Sequence, residues 1–195
     1  MRICFIGDSF VNGTGDDACL GWAGRLCRDA RAAGREVTYY NLGVRRDTSA
    51  DIARRWRAEA APRLPVEHPG ALVFSFGVND CVTDGGLRRV ALVDTLGHAR
   101  SILSEASVLR STLMVGPPPV IDAAANARIV ELSAALAKPC HDSGVPYLPV
   151  FEKLARSPVW RDSLAGGDGA HPRANGYELW AGLVSAWEPW RELVR

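Results

Sequence analysis

Residues 3–10 read ICFIGDSF, an apolar run that ends abruptly in Gly7, Asp8 and Ser9. A β-strand needs only about five residues, so the segment from Arg2 to Gly7 is long enough to form one. The glycine-containing segment 13–17 that follows is typical of a loop. The pattern therefore predicts that Ser9 lies on a turn at the carboxyl end of the first strand, where open α/β sheets place their chemistry.

Two further strand-like runs end in residues that acyl transfer could use. Residues 37–43 form a β-branched and aromatic run that closes on Gly43, and residues 71–76 lead into Asn79. A glycine without a Cβ lets its N–H approach a substrate closely, and an amide N–H₂ can hold a developing oxyanion. Each segment alone also has an ordinary explanation, because Asp-Ser caps helices and Asn-Asp is a common turn signal.

A fourth segment places Asp168 three positions before His171, just ahead of a helical pattern. A serine hydroxyl is a weak nucleophile near neutral pH and needs a base within about 2.6–3.2 Å. We expect His171 to be that base, with Asp168 fixing its tautomer and stabilising the imidazolium that forms. Pro172 suits the first turn of a helix, so His171 is predicted to lie at a helix boundary. Activity is therefore expected to fall in acid, when His171 becomes protonated.

Strands alternate with helical patterns along the whole chain. Helices are predicted at 20–34, 49–61, 87–106, 123–142 and 173–187, and further strands at 113–116 and 145–148. This order, βαβαβαβαβα, predicts a three-layer α/β/α sandwich with a mostly parallel, flavodoxin-like sheet of five strands. We expect residues 1–195 to form one domain. The loops 11–19, 81–86, 117–121 and 156–167 are predicted to wall the pocket.

Taken together, the four segments resemble the sequence blocks of the SGNH, or GDSL-type, serine hydrolase family. They follow the family order and span nearly the whole chain, and Phe10 stands where the family's nickname has Leu. The resemblance implies a triad of Ser9, Asp168 and His171 in an esterase or lipase. It implies cleavage of carboxylic esters or thioesters of small or lipid-like acyl groups through an acyl-serine intermediate.

The resemblance also assigns the oxyanion hole to three donors. They are the backbone N–H groups of Ser9 and Gly43 and the side-chain amide of Asn79. We expect no cofactor and no metal.

Composition is consistent with a globular enzyme, with 23 Lys and Arg against 22 Asp and Glu. The arginine clusters 45–46, 54–57 and 88–89 are separated, and we interpret them as solvated helix faces rather than a nucleic-acid surface. No segment has the length of a membrane span or a signal-peptide core, so no membrane insertion is expected. The five cysteines follow no paired or zinc-binding pattern, which favours reduced thiols and a cytoplasmic location. The expected partner is a small-molecule ester or thioester; the oligomeric state is open.

Two alternatives from other functional classes remain. A metal-dependent phosphoesterase could use oxygen and nitrogen ligands at strand ends, namely Asp8, Asn79, Asp80, Asp168 and His171. A catalytically inactive ligand-binding module could occupy the same fold, although neither a G-x-G-x-x-G fingerprint nor a Walker A lysine occurs.

Overall fold

Five parallel strands form the central sheet of the computed structural model, which describes residues 1–195. The strands of this sheet are β1 (Arg2–Gly7), β2 (Thr38–Gly43), β3 (Gly70–Ser75), β6 (Ser111–Val115) and β7 (Tyr147–Leu148). Two further strands, β4 (Thr83–Asp84) and β5 (Leu87–Arg88), form a separate hairpin. The order across the sheet is β2-β1-β3-β6-β7. The chain moves outward from β1 to β2 and then returns to the other side of β1 as β3, so the switch point lies between β1 and β3. The predicted flavodoxin-like sheet is confirmed.

Helices cover both faces of this sheet and complete the predicted three layers. They are α1 (Ser9–Asn12), α2 (Gly21–Ala32), α3 (Ser49–Ala60), α4 (Val78–Cys81), α5 (Leu92–Leu109), α6 (Ala123–Ala135), α7 (Ala137–Asp142), α8 (Phe151–Ala155), α9 (Pro158–Ala165), α10 (Ala174–Ser185) and α11 (Glu188–Leu193). Helices α2, α10 and α11 pack on one face, and α3 and α5 pack on the other. None of these helices combines the length and the apolar character needed to cross a membrane.

Aromatic side chains join the layers. On one face, Phe5 of β1 meets the Trp22 ring edge-on at 5.6 Å, and Trp22 stacks on Trp180 of α10 at 5.1 Å. On the other face, Trp56 of α3 meets Phe74 of β3 edge-on at 5.6 Å. Burying each such side chain contributes roughly 1.5–3 kcal/mol, so these contacts hold the helices in place against the sheet.

Two predicted helices differ from the observed ones. Residues 87–88, placed in a helix by the pattern, form β5 instead, because Gly85 and Gly86 both have positive φ and allow a tight hairpin turn. The predicted helix 123–142 is divided at Leu136. Pro139 has no N–H to donate and its ring blocks the carbonyl of Ala135, so the helix cannot run straight through.

The segment 156–167 was predicted as a loop, and most of it is helix α9. Ser157 caps this helix by accepting from the N–H of Trp160, and Pro158 occupies its first position. The Trp160 ring is buried, and its Nε1 donates to the carbonyl of Pro119 at 3.0 Å. Helix α9 therefore braces the loop that leaves β6.

Candidate active site

Ser9 lies on a strand–turn–helix element at the switch point of the sheet. The β1 strand ends at Gly7, and Ser9 is the first residue of α1. A Cβ on Gly7 would lie 2.0 Å from the carbonyl oxygen of Ser75 in β3, so only glycine permits this turn. The Asp8 carboxylate caps α1 by accepting from the N–H of Phe10 at 3.0 Å. The turn thus holds the Ser9 side chain at the carboxyl edge of the sheet.

A continuous hydrogen-bonded chain joins Ser9, His171 and Asp168. The Ser9 Oγ lies 2.7 Å from His171 Nε2, and His171 Nδ1 lies 2.7 Å from Asp168 Oδ2. The other carboxylate oxygen, Asp168 Oδ1, accepts from the backbone N–H groups of Ala170 at 2.9 Å and His171 at 2.8 Å. We assign the Nδ1 proton to the bond with Asp168, which leaves Nε2 free to accept the hydroxyl proton of Ser9.

Asp168 remains ionised through most of the acid range. Burial alone would raise its pKa, but the backbone N–H of His171, the imidazole and the N–H of Ala170 lower the pKa to about 2. The His171 side chain is only 13% exposed, whereas Asp168 is 54% exposed. The His171 imidazole is therefore shielded from water, and the Asp168 carboxylate beside it carries a negative charge.

Two residues that were not predicted as site residues, Phe10 and Gly15, pack against His171 and hold its imidazole in place. The Phe10 ring lies 5.0 Å from the His171 ring, centroid to centroid. On another side Gly15, with φ of +88°, comes so close that an added Cβ would lie 3.2 Å from the Cβ of His171. The Tyr177 hydroxyl donates to the carbonyl of Thr14 at 2.8 Å and ties this loop to α10. The sequence signals Gly15 only as a loop residue, because its contact with His171 depends on the tertiary fold.

Asn79 follows β3 in the short helix α4, beside the Ser9 turn. The chain turns into α4 at Gly77, whose φ of +122° is unfavourable for other residues. The Asn79 Nδ2 donates to the carbonyl of Asp47 at 3.0 Å and lies 3.4 Å from Asp8 Oδ2. The amide therefore lies next to the residue that precedes Ser9, with both hydrogens directed at acceptors of the protein.

Gly43 has a packing role in this structure. Its N–H donates to Asn41 Oδ1 at 2.9 Å, so this hydrogen reaches an oxyanion only if that bond opens. A Cβ on Gly43 would lie 2.2 Å from the backbone nitrogen of Asn12 and 2.8 Å from the carbonyl oxygen of Asp8. The glycine thus lets β2 pass directly beneath the turn that holds Ser9. The backbone N–H of Ser9, by contrast, meets no acceptor within the protein.

Asp8 is a buried carboxylate with no cation beside it. Burial raises its pKa, the Phe10 N–H opposes this shift, and the negative charges of Asp80 and Asp47 add to it, so that the pKa lies at about 7. Asp8 therefore exchanges its proton in the neutral range while it faces Asn79.

Asp80 uses its carboxylate to join helices. It accepts from the Ser49 N–H at 3.0 Å, from the Ser49 hydroxyl and from Thr95 Oγ1 at 2.9 Å, and the Ser49 hydroxyl also lies 2.9 Å from His98 Nδ1. Burial raises the pKa of Asp80 despite these donors. This network anchors the start of α3 to α4 and thereby positions the loop that faces Asn79. Nowhere in the chain do three or more His, Cys, Asp or Glu side chains converge as a metal-ligand set.

Arg45, expected on a solvated helix face, lies in the loop that joins β2 to α3. Together with Thr14, it lines a cleft of about 350 Å³ that also contains Asp168 and His171. The sequence contains one signal for this location. Arg45 is a charged residue two positions after Gly43, where a predicted strand ends.

The sequence is similar to a known protein family. A sequence model of the GDSL-like lipase/acylhydrolase family matches residues 5–179, which include every residue of the hydrogen-bonded chain. No functionally curated protein matches the sequence significantly.

Solved structures share the architecture over almost the full length. A lipase/acylhydrolase from Enterococcus faecalis is 25% identical, with a TM-score of 0.77, covering 97% of this chain and 96% of that one. The structure of TesA is 22% identical, with a TM-score of 0.77 and 99% of both chains covered. A catalytic mutant of an acetylxylan esterase from Geobacillus stearothermophilus is 17% identical, with a TM-score of 0.78, covering 100% of this chain and 96% of that one. The last two likenesses concern the fold.

Proposed function

The chain belongs to the GDSL-like lipase/acylhydrolase family and is a carboxylic ester hydrolase, and we propose that it works through a covalent acyl-serine intermediate formed on Ser9. The observation that carries this proposal is the chain of two 2.7 Å contacts from Ser9 Oγ through His171 to Asp168. Both distances lie within the range in which a proton can be transferred between nucleophile and base.

In the proposed reaction, His171 Nε2 takes the proton of Ser9 as Oγ attacks the carbonyl carbon of the ester. The Asp168 carboxylate stabilises the imidazolium. His171 then gives the proton to the leaving oxygen, the alcohol departs, and the acyl group remains on Ser9. Water repeats the sequence, with His171 as its base, and releases the carboxylic acid.

For the oxyanion, we propose the backbone N–H of Ser9 and the side-chain amide of Asn79 as the first donors. The free N–H of Ser9 and the place of Asn79 beside the Ser9 turn support this assignment. To donate to the oxyanion, the Asn79 amide releases one of its present acceptors, Asp8 Oδ2 or the carbonyl of Asp47. Each such donor contributes about 2.7–4 kcal/mol to transition-state stabilisation. Gly43 joins them when its N–H leaves Asn41, and otherwise serves as the close-packing residue beneath the turn.

The proposed substrates are small-molecule esters or thioesters. Acylhydrolase and acetylxylan esterase activities named among the structural relatives are compatible with this range. We also propose a cytoplasmic location, supported by five cysteines that are all unpaired.

The test is a panel of chromogenic esters with acyl chains of increasing length, measured with the wild type and with Ser9→Ala. We expect turnover by the wild type, a loss on the order of 10⁴-fold or more in Ser9→Ala, and one equivalent of an organophosphonate bound at Ser9. Full turnover by Ser9→Ala would refute the acyl-serine mechanism. Activity abolished by a chelator and restored by metal would favour the phosphoesterase alternative.

A further inference from the structure

The cleft beside His171 is polar throughout. It has a volume of about 350 Å³, its walls include Thr14, Gly15 and Arg45, and none of its lining side chains is apolar. A neighbouring cleft of about 480 Å³ shares these three residues and widens the opening. An acyl chain would gain little hydrophobic stabilisation here, so the walls suit a hydrated, polar part of the substrate.

Two guanidinium groups face this cleft, and only one has an anionic partner. Arg173 donates to Asp17 at 3.2 Å and to the carbonyl of Gly166 at 3.0 Å. Arg45 is exposed and makes neither a hydrogen bond nor an ion pair within the chain. Its planar fork of donors is therefore available to a carboxylate or a phosphate.

The remaining carboxylates around the opening are already engaged. Asp168 accepts from His171, and Asp16 accepts from Arg25 at 3.1 Å as part of a buried ion pair. Neither carboxylate forms an ion pair with Arg45, although the ionised Asp168 lines the same cleft. Arg45 is thus the guanidinium of this cleft that has no anionic partner.

The topology separates this cleft from the other side of Ser9. Arg45 follows β2, on one side of β1, whereas the exposed apolar residue Val82 follows β3, on the opposite side. Because His171 gives its proton to the leaving oxygen, the alcohol part of the ester has to lie on the His171 side. The acyl group then points toward the apolar side.

We propose that the cleft receives the alcohol part of the substrate and that Arg45 selects alcohols bearing a carboxylate or phosphate group. This inference rests on the proposed function, since it uses His171 as the acid that protonates the leaving oxygen. It assigns esters of an anionic alcohol as the substrate class.

The test compares two acetyl esters whose leaving groups differ in charge, 4-acetoxybenzoate and 4-acetoxybenzamide. In Arg45→Gln we expect the ratio of kcat/KM for the carboxylate to that for the amide to fall about two- to fivefold, mainly through KM, since one exposed charge pair is lost. In the wild type, 0.5 M NaCl should lower the same ratio, because salt screens exposed charges. A third ester, 4-acetoxyphenyl phosphate, shows which anion is preferred, because the ester with the preferred anion loses more kcat/KM in Arg45→Gln.

Arg35→Gln is the matched control. Arg35 is exposed and lies just before the amino end of β2, whereas Arg45 follows the carboxyl end of the same strand. The replacement of Arg35 should therefore leave the ratio unchanged. An equal ratio in the wild type and Arg45→Gln would overturn the inference, as would an equal fall in Arg35→Gln.

Calorimetric binding separates this inference from the catalytic mechanism. Binding of 4-acetoxybenzoate to Ser9→Ala needs no turnover, and adding Arg45→Gln should weaken it about two- to fivefold. If Ser9→Ala still hydrolyses the ester, the acyl-serine mechanism is wrong. Binding that Arg45→Gln leaves unchanged shows that the anion site is wrong, whatever the mechanism.

Discussion

At the scale of single residues, one short loop supplies both the proposed base and the group proposed to orient it. His171 and Asp168 are three positions apart, and the carboxylate also accepts from the backbone of the same loop. The pair therefore forms locally, and the fold has only to bring Ser9 to it.

Asp168→Asn tests the orienting role. The amide can still bond to the loop, but it no longer stabilises the imidazolium, so we expect kcat to fall on the order of 10³- to 10⁴-fold with little change in KM. Asp162→Asn, on the exposed face of α9, is the control and should keep full activity. Because the pKa of Asp168 is about 2, its ionisation should cause no loss of rate between pH 4 and 8. A kcat reduced less than tenfold would contradict the role.

Asp8→Asn tests the buried acid. The folded-state pKa of about 7 lies above the ordinary value of 3.8, so between these values the folded protein binds a proton that the unfolded chain has lost. Wild-type stability should therefore fall as the pH rises from about 4 to 7, by up to a few kcal/mol. Asparagine does not ionise, so the difference in unfolding free energy, Asp8→Asn minus wild type, should increase from pH 5 to pH 8. Urea unfolding at both values measures it; a constant difference would contradict a raised pKa.

The sequence identified the Ser9, Asp168 and His171 group because each is a local motif at an element boundary. It could not identify the packing of Phe10 or Gly15 on His171, which joins residues more than 150 positions apart. The sequence analysis wrongly placed Arg45 on a helix face for a related reason. Its role depends on where a loop passes in space, and neither charge nor spacing encodes that path.

At the scale of elements, the crossing of β2 beneath α1 depends on a missing side chain. In Gly43→Ala the new Cβ would meet the backbone of Asn12, which cannot yield as a side chain would. We expect a loss of about 1–3 kcal/mol in unfolding free energy and a lower kcat, because the Ser9 turn is displaced. The control is Gly182→Ala in α10, where a Cβ meets nothing within 4 Å and helix propensity should add about 0.5–1 kcal/mol. Unaltered stability in Gly43→Ala would refute the close contact.

The five parallel strands were predictable, whereas the β4–β5 hairpin and helix α9 were not. The five parallel strands carry apolar or β-branched runs, and α3 starts at Ser49 as predicted, because Thr48 and Asp51 form a capping box. The hairpin of β4 and β5 has only two residues in each strand and shows no periodicity. Helix α9 was missed although Ser157 and Pro158 are ordinary start signals, since glycines near its end favoured a loop.

At the scale of the whole molecule, burial divides the thiols. Cys4, Cys27, Cys81 and Cys140 are buried, and burial raises the pKa of each to about 12, whereas Cys19 is exposed. The native protein should therefore release one equivalent of chromophore from Ellman's reagent quickly, and five after unfolding. Cys19→Ser should abolish the fast phase. Several fast equivalents in the native protein would contradict the packing of the core.

The order of the catalytic residues along the polypeptide has a consequence for biosynthesis. Ser9, the proposed nucleophile, is synthesised before His171, the proposed base, which is added more than 160 residues later. Because the amino-terminal part of a domain emerges first, the nascent chain carries an unactivated Ser9 hydroxyl until His171 has been added. Fragments released by premature termination before His171 are then expected to be inert toward esters.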